Sequence, residues 1–163
     1  MPFYNRKLPR KRDYDYSQDG IYFITICSEH RKRIFSHIPD SQDLETAVVE
    51  LTHIGKTVDK HISKLEEKYP QITITSYVIM PNHIHLLISV MNTENAERKS
   101  IPAIIGLLKS SITNECRRVF GTKALFQRSY YDHIVRDEKE FEKISDYIIH
   151  NPGTWIYDKL YSE

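Results

Sequence analysis

The chain has 163 residues, 40% of them hydrophobic, which fits one domain of roughly 100–200 residues with a real core. Its 23 basic and 22 acidic side chains leave a formal charge of +1, so overall basicity advertises no polyanion and local charge must carry that argument. Cys27 and Cys116 lie far apart in no metal-type spacing, and no segment resembles a secretory leader or approaches the ~18–20 apolar residues of a membrane span; the expectation is a soluble, cytoplasmic protein with reduced thiols and no disulfide framework.

In chain order, residues 1–17 form a basic arm. Arg6, Lys7, Arg10, Lys11 and Arg12 precede the first acid, Asp13, with Tyr4, Tyr14 and Tyr16 interleaved. Such a segment suits phosphate contact plus base stacking, and equally a solvated tail. After the turn signal Asp19-Gly20, "IYFITIC" (21–27) is aromatic and β-branched and predicts a strand. Residues 43–68 place Leu44, Val48, Leu51, Val58, Ile62 and Leu65 at three- and four-residue steps, predicting a helix that Gly55 would weaken or bend. "QITITSYVIM" (71–80) and "HIHLLISV" (83–90) predict a hairpin folded tightly around Pro81-Asn82.

The polar run 91–100 reads as a loop, and 101–120 as a helix with Ile104, Leu107, Leu108, Ile112 and Cys116 on one face. Lys109, Arg117 and Arg118 lie on its other faces, where they could grip a nucleic-acid stem. Residues 125–136 predict another strand. The last helix begins at Asp137, whose spacing to Glu140 suits a capping box, runs through Phe141, Ile144 and Ile148, and stops at Pro152. Two strands joined directly in the middle of this order favour an α+β, ferredoxin-like antiparallel sheet flanked by helices over a doubly wound fold. Neither an internal repeat nor a second domain is seen, so 1–163 reads as one unit.

Side chains alternate faces along a strand, so His83 and His85 point the same way. Such a pair can chelate one metal ion, or be two satisfied polar residues on a solvated sheet face. On the last helix Tyr147 and Asn151 are four residues apart and share a face. Each alone could be a packing or helix-end residue.

Together, "MPNHIHLLI", "FQRSYYDHIVRD" and "DYIIHNPGTW", behind "RKRDYDYSQDGIYFITIC", closely resemble the single-tyrosine HUH transposases, in particular the REP-associated tyrosine transposases, over nearly the whole chain. The resemblance implies that His83 and His85 bind a divalent metal, that Asn151 can complete the site, and that Tyr147 is the nucleophile. It also implies attack on a phosphodiester of single-stranded DNA beside an imperfect hairpin, leaving a 5′-phosphotyrosine and a free 3′-hydroxyl, in transposition or repeat processing. Nitrogen and oxygen ligands mixed in this way suit Mg²⁺ or Mn²⁺, with zinc still open.

Two positions depart from the pattern: Phe126 precedes Gln127 where many relatives carry tryptophan, and His150 replaces a frequent asparagine. His150 reads as an exposed bystander rather than a ligand or proton shuttle. Asp132 and His133 read as shaping a sheet edge, and Tyr130 and Tyr131 as rival nucleophiles without an asparagine one turn away. Two other functions compete. One is a hairpin-binding regulator that no longer needs turnover; the other, a small metal hydrolase, is disfavoured because no carboxylate stands next to the histidines in sequence. Family members act as monomers or homodimers, and the short step from Arg136 to Asp137 favours His83, His85 and Tyr147 working within one chain.

Overall fold

Alternation of large apolar residues along Gly20–Cys27 (β1) and His83–Val90 (β5) gives the sheet two buried faces, and everything else packs onto one or the other. The computed structural model describes residues 14–39, 47–92 and 99–162. Besides β1 and β5 its elements are the short strands Ser36–His37 (β2) and Glu50–Leu51 (β3), helices His53–Ser63 (α1) and Leu65–Lys68 (α2), strand Ile72–Ile79 (β4), helix Ile101–Phe120 (α3), strand Tyr131–Val135 (β6) and helix Glu138–His150 (α4). The main sheet has the order β4-β5-β1-β6, with each neighbouring pair antiparallel. This is the α+β, ferredoxin-like arrangement that the sequence predicts. Among the described residues no helix is long and apolar enough to cross a membrane.

One face carries Tyr22, Ile24 and Ile26 of β1 with Ile84, Leu86 and Ile88 of β5, covered by Val58 and Ile62 of α1 and Ile104, Leu108 and Ile112 of α3. Each such side chain contributes roughly 1.5–3 kcal/mol by leaving water. The other face is smaller: Phe23, Leu87 and Val135 meet Ile144 and Ile148 of α4. His83 and His85 belong to that second face, by the same parity that directs Ile84 and Leu86 to the first.

Several boundaries differ from expectation, each for a local reason. The helix predicted over 43–68 starts only at His53, residues 43–46 lying outside the described residues. Glu50 and Leu51 instead pair with His37 and Ser36, and Val48 is exposed. Thr52 caps the helix, its Oγ1 accepting from the Gly55 amide at 3.0 Å, and Lys64 separates α1 from α2. Gly55 does not bend a helix interior. It sits in the first turn against the Phe35 carbonyl, where a Cβ would come within 1.9 Å of that oxygen.

On α3, Leu107, expected on the apolar face, is exposed, and Ile105 is buried there instead. Only Tyr131–Val135 of the strand predicted over 125–136 is extended in the sheet. Leu125–Tyr130 forms a loop fastened by a Ser28–Phe126 bridge and by Lys109, whose ammonium donates to the carbonyls of Gln127 (2.7 Å) and Arg128 (2.9 Å). At α4 the Asp137 carboxylate accepts from the Glu140 amide at 2.8 Å, as its cap spacing predicts. Glu140 returns to the amide of Arg136, one residue before the cap, at 2.8 Å.

Candidate active site

The histidines are not on a solvated face. His83 is 0% and His85 3% exposed, so each imidazole needs partners for both nitrogens. Nδ1 of His83 lies 2.8 Å from Asn82 Oδ1, which only accepts, so Nδ1 carries the proton and Nε2 presents its lone pair. Nδ1 of His85 lies 2.8 Å from the Thr25 hydroxyl, across the β1–β5 ladder where these residues pair. The two Nε2 atoms face each other at 3.1 Å. Burial pushes His83 down to about 3, with Asn151 pulling the other way, and burial followed by the neighbouring His83 lowers His85 well below the usual imidazole value. Both rings are therefore neutral, the form that ligates metal.

Helix α4 brings Tyr147 over this pair. Ile144 and Ile148 seat the helix on the sheet, and the intervening phenol lies half-buried at the edge of that contact. Its oxygen is 3.2 Å from His85 Nε2, and its ring packs edge-on against Phe23 at 6.2 Å between centroids. Asn151, one turn later, is fully buried at the C-cap.

A further group completes the cluster. Asp158, eleven residues after Tyr147, is 6% exposed and follows a short 3₁₀ turn, Trp155–Tyr157. Its Oδ2 accepts from the Tyr147 hydroxyl at 3.0 Å and from Asn151 Nδ2 at 2.8 Å, while Oδ1 accepts from the Leu160 amide at 2.7 Å. Burial, then the charge of Asp158 and its hydrogen bond, raise the Tyr147 phenol above its usual value. Asp158 Oδ2 lies 4.0 Å from His83 Nε2; because that ring is neutral, the approach is not an ion pair.

His83, His85 and Asp158 thus offer ligand atoms within 4.8 Å of one another. The buried Oδ1 of Asn151 has no hydrogen-bond partner among the described residues. Two neutral imidazoles with facing Nε2 atoms, an unpartnered amide oxygen and a nearby carboxylate are a donor set that fits a divalent cation. A cavity of about 30 Å³ opens beside them, lined by Phe23, Thr25, His85, Tyr131, Tyr147 and Asp158.

The structure therefore brings His83, His85, Tyr147 and Asn151 together. His150 stays outside, exposed, donating from Nδ1 to the Asp146 carbonyl at 2.8 Å. Tyr130 is buried in the core of the opposite face, whereas Tyr131 lines the site cavity. His133 pairs with Glu140 at 2.7 Å, as a residue shaping the sheet edge would. Arg117 and Arg118 are exposed on α3, a helix packed on the other face from α4, and Lys109 is engaged by its two carbonyls. Of the arm, Arg6, Lys7, Arg10, Lys11, Arg12 and Tyr4 lie outside the described residues. Tyr16 is buried against Tyr22, so its ring is not free for stacking on bases, while Tyr14 is half-buried and packs edge-on against both rings.

Asp158 escaped the sequence reading, which found no carboxylate near the histidines. It is 73 residues from His85, in "GTWIYDKLYS", where neither helical nor strand periodicity assigns a face. The one available signal was Trp155, an aromatic that needs a place to pack; its ring lies 5.8 Å from that of His83.

Residues 17–151 match the family described as IS200-like transposases. A Haemophilus influenzae protein of uncharacterised function is 30% identical, over 97% of this chain and 94% of its own length. Another from the same organism, provisionally named a REP-associated tyrosine transposase, is 28% identical over 85% of this chain and 73% of its own. Among solved structures, a REP-associated tyrosine transposase bound to a REP hairpin aligns with a TM-score of 0.64 at 20% identity, covering 93% of this chain and 77% of that one. A Deinococcus radiodurans protein provisionally called a transposase aligns with a TM-score of 0.52 at 16% identity, covering 86% and 95%. The chain belongs to the IS200-like transposase family.

Proposed function

We propose that this transposase is a single-tyrosine DNA strand transferase that cleaves single-stranded DNA beside a hairpin, through a 5′-phosphotyrosine intermediate, with a divalent metal. The observation that carries the reading is the Tyr147 oxygen held 3.2 Å from His85 Nε2 and 3.0 Å from Asp158 Oδ2. His83, His85 and Asn151 would hold the metal, Mg²⁺ or Mn²⁺ by its mixed nitrogen and oxygen donors, and it would supply charge neutralisation at the scissile phosphate.

The residues prepare the remaining chemistry. Phe23 and His85 flank the phenol and limit its rotation, which favours in-line attack by one oxygen on one phosphorus. The Tyr147 Oη–phosphorus bond forms as the phosphorus–O3′ bond breaks; the phenolic proton leaves Oη, and the departing 3′-oxygen takes up a proton to become a hydroxyl. Phenolate, from an acid of pKa ~10, leaves more readily than an alkoxide, so a 3′-hydroxyl can reverse the step and reseal the strand.

Hairpin DNA is the proposed partner because a structural neighbour is bound to a REP hairpin. The basic arm, Arg6, Lys7, Arg10, Lys11 and Arg12, with Arg117 and Arg118 of α3, would contact phosphates, and Lys109 would brace the 125–130 loop alongside them. The whole chain is read as one catalytic unit acting in the cytoplasm, where Cys27 and Cys116, both buried thiols, stay reduced. A hairpin-binding regulator without turnover would have no use for a half-buried phenol aligned on two neutral imidazoles.

The test is covalent trapping. Incubated with labelled hairpin oligonucleotides and Mn²⁺ or Mg²⁺, the protein should form a denaturation-resistant adduct that Tyr147→Phe abolishes while hairpin binding stays nearly intact. An undiminished adduct would refute the nucleophile assignment.

A further inference from the structure

The amide of Asn151 has a donor end and an acceptor end, and rotating it by half a turn exchanges them. Which end faces the histidines decides whether Asn151 can ligate a cation or only repel one. Asp158 fixes this choice: a carboxylate only accepts, so the 2.8 Å contact to its Oδ2 must come from Nδ2. Oδ1 is then directed away from Asp158, buried and without a hydrogen-bond partner among the described residues.

The carboxylate is itself held on several sides. Its second oxygen takes the Leu160 amide, and its backbone amide donates to the Trp155 carbonyl at 3.0 Å. The same segment is anchored at the histidine end, where Asn82 Nδ2 donates to the Leu160 carbonyl at 2.7 Å while Asn82 Oδ1 accepts from His83. Asp158 lies seven residues beyond Asn151, where the span matched to the family ends.

We propose that Asp158 is a positioning residue that sets the orientation of the Asn151 amide, aiming its oxygen at the cation, and that the turn after α4 is therefore part of the active centre. The proposal rests on the reading of His83, His85 and Asn151 as the metal-holding set. It makes Asp158 act through Asn151, in contrast to a direct ligand, whose loss would be felt whatever stands at 151.

The experiment is a double-mutant cycle read by Mn²⁺ binding, with free Mn²⁺ followed by electron paramagnetic resonance on the full chain without DNA. Asp158→Ala should weaken Mn²⁺ binding about tenfold or more, the usual effect of losing a group that orients a ligand. In an Asn151→Ala background the same change should alter affinity less than about twofold. Equal losses in both backgrounds would overturn the proposal in favour of direct ligation or general destabilisation, and so would no loss in either. If Asp158→Ala does not fold, Asp158→Asn keeps the shape but can donate as well as accept, so it no longer enforces one amide direction. A folded Asp158→Asn protein, checked by thermal melting, should still lose affinity when Asn151 is present, and wild-type affinity would overturn the proposal. Failure of the wild-type chain to bind Mn²⁺ would be a different result, removing the metal-holding set itself.

Discussion

The hydroxyl of Thr25 lies 2.8 Å from Nδ1 of His85, across the ladder that joins β1 to β5. This contact, made between directly paired residues, holds the ring with Nε2 toward His83 and Tyr147. Thr25→Val keeps the β-branched shape and removes the partner. The expected outcome is Mn²⁺ affinity lowered about tenfold, with a stability loss of about 1–3 kcal/mol from the stranded imidazole nitrogen. Metal titration and thermal melting measure the two effects separately, and unchanged metal affinity would show that Thr25 does not orient the ring.

The glycines of α1 and α3 should respond in opposite directions to alanine. At Gly55 the new methyl would meet the Phe35 carbonyl at 1.9 Å, and that oxygen already accepts from the Thr52 amide and hydroxyl, both at 3.0 Å. Backbone on both sides cannot yield, so Gly55→Ala should cost about 3 kcal/mol or more. At Gly106 nothing lies within 4 Å of the added atom, and the position is exposed inside a helix. Gly106→Ala should gain about 0.4–1 kcal/mol through helix propensity and a less disordered unfolded chain. Urea unfolding of the two variants checks both signs at once.

Much of the site was legible because it depends on short-range geometry. Two residues apart on a strand put His83 and His85 on one face, four apart on a helix aligned Tyr147 with Asn151, and the Asp137–Glu140 spacing located the start of α4. The parts that were not legible depend on contacts between distant segments. Glu50 and Leu51 satisfy a helical period, yet Ser36 and His37 offer them a strand partner and Thr52 a better cap. Leu125 and Phe126 carry strand composition, yet Ser28 and Lys109 hold that stretch out of the sheet. Asp158 reaches the histidines only because the chain turns back after Pro152, and no local pattern encodes the direction of that return.

Burial pushes the Cys27 thiol up to about 11, and burial also raises Cys116. A raised value means less thiolate at any pH below it, and thiolate is the form that reacts. At pH 8 the native protein should resist iodoacetamide at both positions, Cys27 holding about a hundredfold less thiolate than an unperturbed thiol. Protection should fall as the pH is raised and vanish in denaturant, where both thiols react. Mass spectrometry of labelled protein follows this, and fast labelling of Cys27 in the folded chain at pH 8 would contradict its buried setting.

The last prediction concerns how the site is assembled. Tyr147 and His85 are in hydrogen-bond reach within one chain, and Asp158 of that chain holds the same phenol from its other side. Helix α4 follows β6 after only Arg136 and its cap Asp137, and its apolar residues Ile144 and Ile148 are seated on Phe23 and Leu87 of its own sheet. Exchanging α4 with a second copy would have to expose that cluster and break the Asp158 contacts before new ones formed. A mixture of Tyr147→Phe protein with His83→Ala, His85→Ala protein should therefore recover no DNA cleavage, since each chain lacks half of a site it must build alone. Recovered cleavage, measured on a labelled hairpin substrate against each variant by itself, would establish shared sites and remove the single-chain arrangement.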